Sequence, residues 1–264
     1  MITLGVDIGT GTTKGVLLED GSKVLAKDLD VVKGRPDVVA TRMMENLLEK
    51  AKLESSELNY IASTGYGRYQ MEERQIQITD LTTTGRGAKL VYGEPHIILD
   101  IGNQSSRALR VNETGRIVQF KVNERCAAGS GRFIERCSKY LTVPMEEVSE
   151  IALKADNPQE ISSVCAVLSE TEIINHVSLG VSVENIFIGV LISIADRAAT
   201  LLKRVKLDED IYLTGGLVHL PAMVKALETV IPYKVNVHPD AHYAAAIGAG
   251  MLGYQRAMKK VVAQ

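Results

Sequence analysis

Residues 7–14 read DIGTGTTK, and this stretch joins a short apolar run, Ile2–Ile8, to a second run, Thr13–Leu18. Short apolar runs bounded by turn residues are typical of strands. The residues between the runs, 9–12, are glycine and threonine, and glycine takes backbone conformations that other residues avoid. The pattern therefore predicts a β-hairpin whose tip is rich in glycine and hydroxyl groups.

The same arrangement returns later in the chain. Residues 100–107 read DIGNQSSR and match 7–14 in residue type at nearly every position. The turns that follow, Asp20-Gly21 and Thr114-Gly115, fall close to the same register. An internal repeat of this size implies two similar α/β lobes that face each other across a cleft, and the alternative is a chance likeness between two hairpins. The predicted lobes are residues 1–94 and 95–264.

The spacing Asp-x-Gly-x-Gly-x-x-Lys in the first hairpin suits a phosphate-binding loop, although it joins two strands and so is not a Walker A motif. Backbone N–H groups at the turn can form a nest for an anion, and Lys14 can reach a phosphate as a point charge. Asp7, at the end of the first strand, can hold Mg²⁺ through water. An ordinary turn is the alternative, but a second hairpin with Asp100 favours two loops that clamp one triphosphate. The predicted nest residues are Gly9, Gly11, Thr12 and Thr13.

Smaller glycine motifs occur in the second half of the chain. Thr214-Gly215-Gly216 follows an apolar strand pattern, so a nucleotide could lie close to its backbone; a structural turn is an equal alternative. Gly248-Ala249-Gly250, in the predicted last helix, more often indicates close helix packing. Glu170 and Glu172 either contact the nucleotide or balance charge at a helix start, and the second is favoured.

Two cysteines each precede a helical pattern. Cys126 lies in NERCAAGSGR, residues 123–132, and Cys165 lies in ISSVCAVLSETEI, residues 161–173. The positive end of a helix dipole favours the thiolate that metals bind, and small residues let the backbone approach a bulky inorganic group. Two cysteines are too few for a four-iron cluster, but two chains related by a two-fold axis would supply four. Cys137 lies within a helical pattern and is predicted to be a core or surface thiol.

Composition argues against several classes of protein. Of 264 residues, 45% are hydrophobic and 23% charged, as is ordinary for a soluble globular protein. The net charge of −2 argues against nucleic-acid binding and against a membrane surface. The start, MITLGVDIG, has no basic segment, and the longest apolar stretch, 186–195, is too short to span a bilayer. Three widely spaced cysteines do not form a disulfide framework, so the expected compartment is the reducing cytoplasm.

These motifs together give the chain a family resemblance. It resembles the actin–Hsp70–sugar kinase ATPase superfamily, whose α/β, ribonuclease H-like fold has two similar lobes around a nucleotide cleft. Within it, the sequence is similar to the activator ATPases of 2-hydroxyacyl-CoA dehydratases and the matching subunits of benzoyl-CoA reductases. The stretches that carry the resemblance are GVDIGTGTTK at 5–14, TGYGR at 64–68, NERCAAGSGRF at 123–133, ISSVC at 161–165, SETE at 169–172 and TGG at 214–216.

The resemblance implies ATP-driven electron transfer by a homodimer. It implies one [4Fe-4S] cluster held by Cys126 and Cys165 of each subunit, and Mg²⁺ held with ATP or ADP by Asp7 and Asp100. ATP binding and hydrolysis would shift the subunits and drive an electron from a ferredoxin or flavodoxin into a partner iron–sulfur dehydratase or reductase. Asp7 and Gln104 are the predicted catalytic residues, because hydrolysis depends on positioning and charge stabilisation. The predicted nucleotide contacts are Gly9, Thr10, Gly11, Thr12, Thr13, Lys14, Gly102, Asn103, Gln104, Ser105, Gly129, Gly215 and Gly216.

The second hairpin departs from the family pattern, which usually reads DIGGQDTK. Here Asn103 replaces the second glycine, Ser105 the acidic residue and Arg107 the lysine. Asn103 can still take a positive φ and Gln104 can still orient water, while the lost carboxylate bears on the hydrolysis rate and the metal arrangement. Thr82-Thr83-Thr84 also differs from relatives with Ser or Thr, then Cys and His. It fits a diverged branch or a subunit that pairs with an unlike copy.

Two rival functions fit the same fold. A small-molecule kinase of the amino-sugar type needs a general base for the substrate hydroxyl. With Ser105 in place of a carboxylate, only Asp100 remains for that task, and it is assigned to Mg²⁺. A kinase also gives Cys126 and Cys165 no role. A nucleotide-gated binding protein without turnover is favoured by the altered second hairpin, and an ATPase assay with and without a partner would separate it from an activator.

Overall fold

The computed structural model describes residues 1–32, 34–123, 129–162 and 165–262. Backbone contacts divide the chain into two compact units. The predicted boundary at residue 94 lies close to the observed one after His96, but the last segment of the chain, expected in the second lobe, belongs to the first unit. The first unit comprises Met1–His96, Val111–Val118 and Asp240–Gln264, and the second comprises Ile97–Arg110 and Gln119–Pro239.

Ten strands and eight α-helices are formed by the described residues. The strands are β1 Ile2–Ile8, β2 Thr12–Glu19, β3 Lys23–Val31, β4 Leu58–Thr64, β5 Ile76–Gln77, β6 Ile97–Ile101, β7 Ser106–Val111, β8 Ile117–Asn123, β9 Ile211–Gly215 and β10 Val235–Asn236. The helices are α1 Pro36–Ala51, α2 Asp80–Tyr92, α3 Gly131–Tyr140, α4 Val148–Leu153, α5 Ala166–Ser178, α6 Val183–Lys203, α7 Pro221–Val230 and α8 Ala244–Val262.

The first unit is built on a five-stranded sheet with the order β3-β2-β1-β4-β5. β2 pairs antiparallel with β1 and with β3, whereas β4 runs parallel to β1 and β5 runs parallel to β4. The hairpin predicted from residues 7–14 therefore lies at the centre of this sheet, with strands on both sides.

The two faces of this sheet pack against different helices. Successive residues of a strand point to opposite faces. Leu4 and Val6 are fully buried in one hydrophobic cluster with Met43 of α1. Gly5 lies on the other face, where an added β-carbon would overlap the backbone oxygen of Ala246 in α8. Glycine at this position therefore allows β1 to contact the backbone of α8 directly.

Small residues also bring α2 and α8 together. An added β-carbon at Gly87 would overlap the carbonyl oxygen of Ala244, and one at Gly248 would overlap the carbonyl oxygen of Thr83. Gly248 therefore serves close packing of helices, as the sequence predicts. Because each contact involves backbone atoms, a larger side chain cannot be accommodated by a change of rotamer.

The second unit repeats the topology of the first. Its sheet has the order β10-β9-β6-β7-β8. β6 pairs antiparallel with β7 and parallel with β9, and β10 runs parallel to β9. Matching β1–β5 to β6–β10 gives the same strand order, and the partners of β6 run in the same directions as those of β1. The predicted internal repeat is confirmed.

Helix α6 is the core helix of the second unit. Its 21 residues are long and apolar enough to cross a membrane by length and composition, but 78% of the apolar window is buried inside the protein. Phe187, Val190 and Leu191 are completely buried. The hydroxyl oxygen of Ser182 accepts a hydrogen bond from the backbone N–H of Asn185 and so caps the helix start. Burial of this helix explains the apolar stretch without a membrane.

Candidate functional site

The first hairpin places Lys14 opposite Asp7 across the β1–β2 pair. Lys14 Nζ donates a hydrogen bond to Asp7 Oδ2 at 3.4 Å, and the two side chains are only 10% and 12% exposed. The backbone N–H of Gly9 donates to the oxygen of Thr12 at 3.0 Å and closes the turn. The buried hydroxyl of Thr13 has no hydrogen-bond partner within the described part of the chain. The turn thus holds a nearly buried ion pair and a polar group that a bound phosphate or water would satisfy.

The second hairpin has the same construction with different residues. Arg107 lies opposite Asp100 and donates from Nη1 to Oδ2 of that carboxylate at 3.2 Å. The turn is closed by a hydrogen bond from the N–H of Gly102 to the oxygen of Ser105 at 2.8 Å. The replacements at positions 105 and 107 therefore keep both the turn and the pairing of an aspartate with a cation across the strands.

A Thr-Gly pair beside each aspartate extends the repeat, and this equivalence was not predicted from the sequence. Thr64 of β4 lies beside Asp7, and Thr214 of β9 lies beside Asp100. The glycine after each threonine has a positive φ, +85° and +88°, and an added β-carbon there would crowd the neighbouring aspartate and the backbone oxygen after it. The recurrence of Thr-Gly after two apolar strand patterns was the available signal.

The remaining predicted contacts of the second unit lie at and beside its hairpin. Gln104 is exposed, and Oδ1 of Asn103 is buried without a partner among the residues that the structure describes. Gly129 accepts a hydrogen bond at its carbonyl oxygen from the hydroxyl of Ser106 in β7. Gly216 begins a short 3₁₀ helix, and an added β-carbon there would meet open space. In the first unit, Thr10, Gly11 and Thr12 are partly exposed at the hairpin tip.

Cys165 is the N-cap residue of α5. Its carbonyl oxygen accepts a hydrogen bond from the backbone N–H of Ser169 at 3.0 Å, and its side chain is partly exposed. Cys165 therefore lies at the N-terminal end of a 13-residue helix, where the first backbone N–H groups have no partner within the helix. Cys126 lies outside the described residues, so its role as the second ligand stays a prediction.

Cys137 lies in a different environment. It is completely buried in α3, and this burial raises the pKa of its thiol to about 12. A thiol that stays protonated does not serve as a metal ligand. Of the two places that the sequence allows for Cys137, core or surface, the structure shows the core.

The two glutamates of α5 contact protein groups. Glu170 forms an ion pair with Arg136 of α3 at 2.7 Å. Glu172 Oε2 accepts a hydrogen bond from the backbone N–H of Ser162 at 2.6 Å. Both contacts agree with the structural role favoured for these residues.

No group of three or more His, Cys, Asp or Glu side chains suited to a metal ion is formed by residues 1–32, 34–123, 129–162 and 165–262. A cluster shared by two chains needs only two cysteines from each, and Mg²⁺ bound with a nucleotide takes one or two carboxylates together with phosphate and water. Asp7 and Asp100, the two carboxylates predicted for Mg²⁺, have different partners. The described ion pair of Asp7 is at Oδ2, whereas Asp100 accepts from Arg107 at Oδ2 and from Thr214 at Oδ1.

Two sheets of one topology, each with an Asp-x-Gly hairpin at its centre and a Thr-Gly pair beside it, define an α/β protein of the actin–Hsp70–sugar kinase class. A ROK family glucokinase from Streptomyces griseus, solved with glucose and AMPPNP, has this fold. It aligns with a TM-score of 0.57 at 10% identity, covering 97% of this chain and 100% of that one. A likeness at this identity shows the fold alone.

The chain belongs to the BadF/BadG/BcrA/BcrD ATPase family, which matches residues 4–253. A benzoyl-CoA reductase subunit from Thauera aromatica is 40% identical over 262 residues, which cover 96% of this chain and 93% of that protein. The activator of 2-hydroxyisocaproyl-CoA dehydratase from Clostridium difficile, solved with bound ADPNP, is 30% identical with a TM-score of 0.94. That likeness covers 100% of this chain and 98% of the activator. The family resemblance drawn from the sequence is confirmed.

Proposed function

We propose that the chain is an ATP-dependent iron–sulfur activator that supplies low-potential electrons to a partner such as a 2-hydroxyacyl-CoA dehydratase or a benzoyl-CoA reductase. The observation that carries the proposal is the partly exposed Cys165 at the N-cap of α5. It supports the proposal because the relatives of this ATPase include an activator of such a dehydratase and a subunit of such a reductase.

ATP is the proposed nucleotide, and the hairpins bind its phosphates. Lys14 and Arg107 supply the positive charges, and Asp7 holds Mg²⁺ through water. Gln104, exposed on the second hairpin, orients the attacking water. Gly215 and Gly216 leave room for the adenosine, since an added β-carbon at Gly216 has no neighbour within 4 Å. The ADPNP bound by the related activator supports this assignment.

The [4Fe-4S] cluster, when bound, supplies a one-electron centre of low potential. Cys165 and Cys126 of each of two chains would hold it, either in a homodimer or with an unlike copy. On this chain's side, α5 orients Cys165 through its own first turns. The hydroxyl of Ser169 lies 2.7 Å from the carbonyl oxygen of Ser162, and the carboxylate of Glu172 accepts a hydrogen bond from the backbone N–H of Ser162. These contacts hold Ser162 against the first turns of α5.

The proposed setting is the cytoplasm, with a ferredoxin or flavodoxin as electron donor and an iron–sulfur dehydratase or reductase as acceptor. The role needs no nucleic acid and no membrane. An amino-sugar kinase would need a general base beside the phosphates, and Asp100 is engaged with Arg107 and Thr214. The likeness to a glucokinase extends to the fold only.

The test is the iron and sulfide content of protein purified without oxygen. We expect about four irons and four sulfides per dimer, with an oxygen-sensitive brown chromophore. Cys165→Ser and Cys126→Ser should each abolish the cluster while ADPNP still binds, and Cys137→Ser should keep it. A wild-type protein that binds ATP but contains no iron would contradict the electron-transfer proposal. Partner-dependent ATP hydrolysis would exclude a binding protein without turnover.

A further inference from the structure

The second hairpin is hydrogen-bonded to the start of α3. The N–H of Gly131 donates to the oxygen of Gly102 at 3.0 Å, and the N–H of Arg132 donates to the oxygen of Asn103 at 2.8 Å. The first N–H groups of a helix have no partner within the helix, so the hairpin carbonyls satisfy them. The hydroxyl of Ser106 reinforces the contact through the oxygen of Gly129. A displacement of this hairpin therefore displaces α3.

The other end of α3 is bonded to α5. Arg136 Nη2 lies 2.7 Å from Oε1 of Glu170 and donates to its Oε2 at 2.9 Å. The hydroxyl of Tyr140 donates to the same Oε2 at 3.2 Å, and Arg136 Nη2 also donates to the hydroxyl oxygen of Tyr140 at 3.3 Å. Glu170 is 14% exposed and lies five residues after Cys165. The described ion pair of Glu170 thus fixes the first turns of α5 against α3.

Between these two ends α3 is a continuous helix of ten residues. Phe133 and Ile134 are completely buried, so the helix cannot bend or rotate without disturbing the core. A rigid helix with one end bonded to a phosphate-type hairpin and the other to the cysteine-bearing helix can transmit a displacement between them. All of these contacts lie within the second unit.

We propose that Arg136, Glu170 and Tyr140 are positioning residues that couple the nucleotide state at the second hairpin to the orientation of Cys165. The inference deepens the proposed function and rests on it. A phosphate bound at the second hairpin would displace Gly102 and Asn103, and α3 would transmit that displacement to α5 through Glu170. A nucleotide without the γ-phosphate would not displace the hairpin in this way. The ion pair is half-exposed at Arg136, so it contributes little to stability, and its effect lies in coupling.

The test measures how fast the thiol of Cys165 is alkylated in full-length, iron-free protein with ADPNP or with ADP, by mass spectrometry of the peptide that contains it. This readout does not depend on a cluster or on turnover. In the wild type we expect the two rates to differ by about fivefold or more, the lower range of allosteric couplings. Arg136→Gln and Glu170→Gln should each bring the ratio close to one with ADPNP affinity unchanged. The double variant should be no worse than either single variant.

Arg132→Gln is the matched control. Arg132 also lies on α3 and pairs with Glu135 of the same helix at 3.0 Å, so it does not bridge to α5. It should keep the wild-type ratio. Tyr140→Phe removes a hydroxyl only and should lower the ratio in part, which keeps the test available where Glu170→Gln destabilises the fold. The coupling would be overturned if Arg132→Gln lowered the ratio of alkylation rates as much as Arg136→Gln does. It would also be overturned if Arg136→Gln kept the wild-type ratio. Iron content and ATPase activity, measured separately, test the proposed function itself.

Discussion

The hydroxyl of Thr214 donates a hydrogen bond of 2.9 Å to Oδ1 of Asp100. Thr64 occupies the equivalent place beside Asp7, but its hydroxyl oxygen lies 2.9 Å from that of Thr83 in α2. The internal repeat therefore holds its two aspartates differently. Asp100 is fixed by the next strand as well as by Arg107, whereas the hydroxyl of Thr64 is engaged with Thr83 of α2.

Thr214→Val should slow ATP hydrolysis by about 10- to 100-fold, because a hydrogen bond to a charged group contributes about 1.5–3 kcal/mol and each 1.4 kcal/mol is about a factor of ten in rate. Valine keeps the volume of threonine but leaves Oδ1 of the buried Asp100 without its hydrogen bond. Thr214→Ser retains the hydroxyl and should restore most of the rate. Steady-state hydrolysis at saturating ATP, with a thermal melt to verify folding, gives the answer. Equal rates in the valine and wild-type proteins would contradict it.

Lys14→Met should raise the dissociation constant of ADPNP at least about tenfold, a loss of about 1.4 kcal/mol. The change removes a positive charge from the first hairpin and leaves Asp7, whose side chain is only 12% exposed, without its cation. Titration calorimetry measures the affinity. Lys23→Met is the control, because Lys23 pairs with Glu19 on the surface and is 71% exposed. The idea fails if both variants bind ADPNP as the wild type does.

Gly87→Ala should destabilise the protein, although alanine raises helix propensity by about 1 kcal/mol. The added β-carbon would overlap the carbonyl oxygen of Ala244, a backbone atom that cannot move aside. Overpacking of this kind costs about 1–3 kcal/mol or more, so the overlap outweighs the propensity. Chemical denaturation measures the difference. Gly216→Ala, whose β-carbon meets open space, should unfold at the wild-type midpoint.

Because the thiol of Cys137 is buried, the free energy of unfolding should fall as the pH rises from about 9 to about 12. Burial raises its pKa from 9.0 to about 12, so the unfolded thiol ionises at the lower end of this range while the folded thiol stays protonated. The unfolded state then binds fewer protons, and the free energy of unfolding falls as the pH rises. Denaturation curves at pH 8 and pH 10 measure the fall. In Cys137→Ala, the free energy of unfolding should fall less between pH 8 and pH 10 than it does in the wild type.

The same burial protects Cys137 from alkylation. At pH 8 in the folded, iron-free protein, the partly exposed Cys165 should react with iodoacetamide while Cys137 reacts only after denaturation. Peptide mass spectrometry resolves the two sites. Rapid labelling of Cys137 in folded protein would contradict its place in the core.

Local patterns were sufficient to predict the two hairpins and the topology that they repeat. The motif at 7–14 has its turn residues and its apolar runs within one short segment, so its structure follows from neighbours in sequence. The helix start beside Cys165 was predictable for the same reason, since a helical pattern begins directly after that residue. The family match over residues 4–253 confirms the class of protein that these patterns imply.

Contacts between distant segments were not predictable in the same way. Thr64 and Thr214 are equivalent because each lies beside an aspartate in a parallel strand, and the eight-residue alignment of the hairpins does not reach them. The two-residue strand β5 depends on β4, with which it pairs. The packing of α8 on the first sheet depends on the glycine at position 5 of β1, and a single glycine in a strand does not indicate which helix will contact it.

The contact of β1 with α8 has a consequence for how the protein is made. β1 ends at Ile8 and α8 begins at Ala244, so 236 positions of synthesis separate them. At about 5–20 residues per second, the ribosome needs roughly ten to fifty seconds to cover that distance. During this time the sheet face around Gly5 lacks its covering helix, while residues 97–239 are synthesised. The first unit therefore cannot complete its packing until the last of its segments, Asp240–Gln264, has been made.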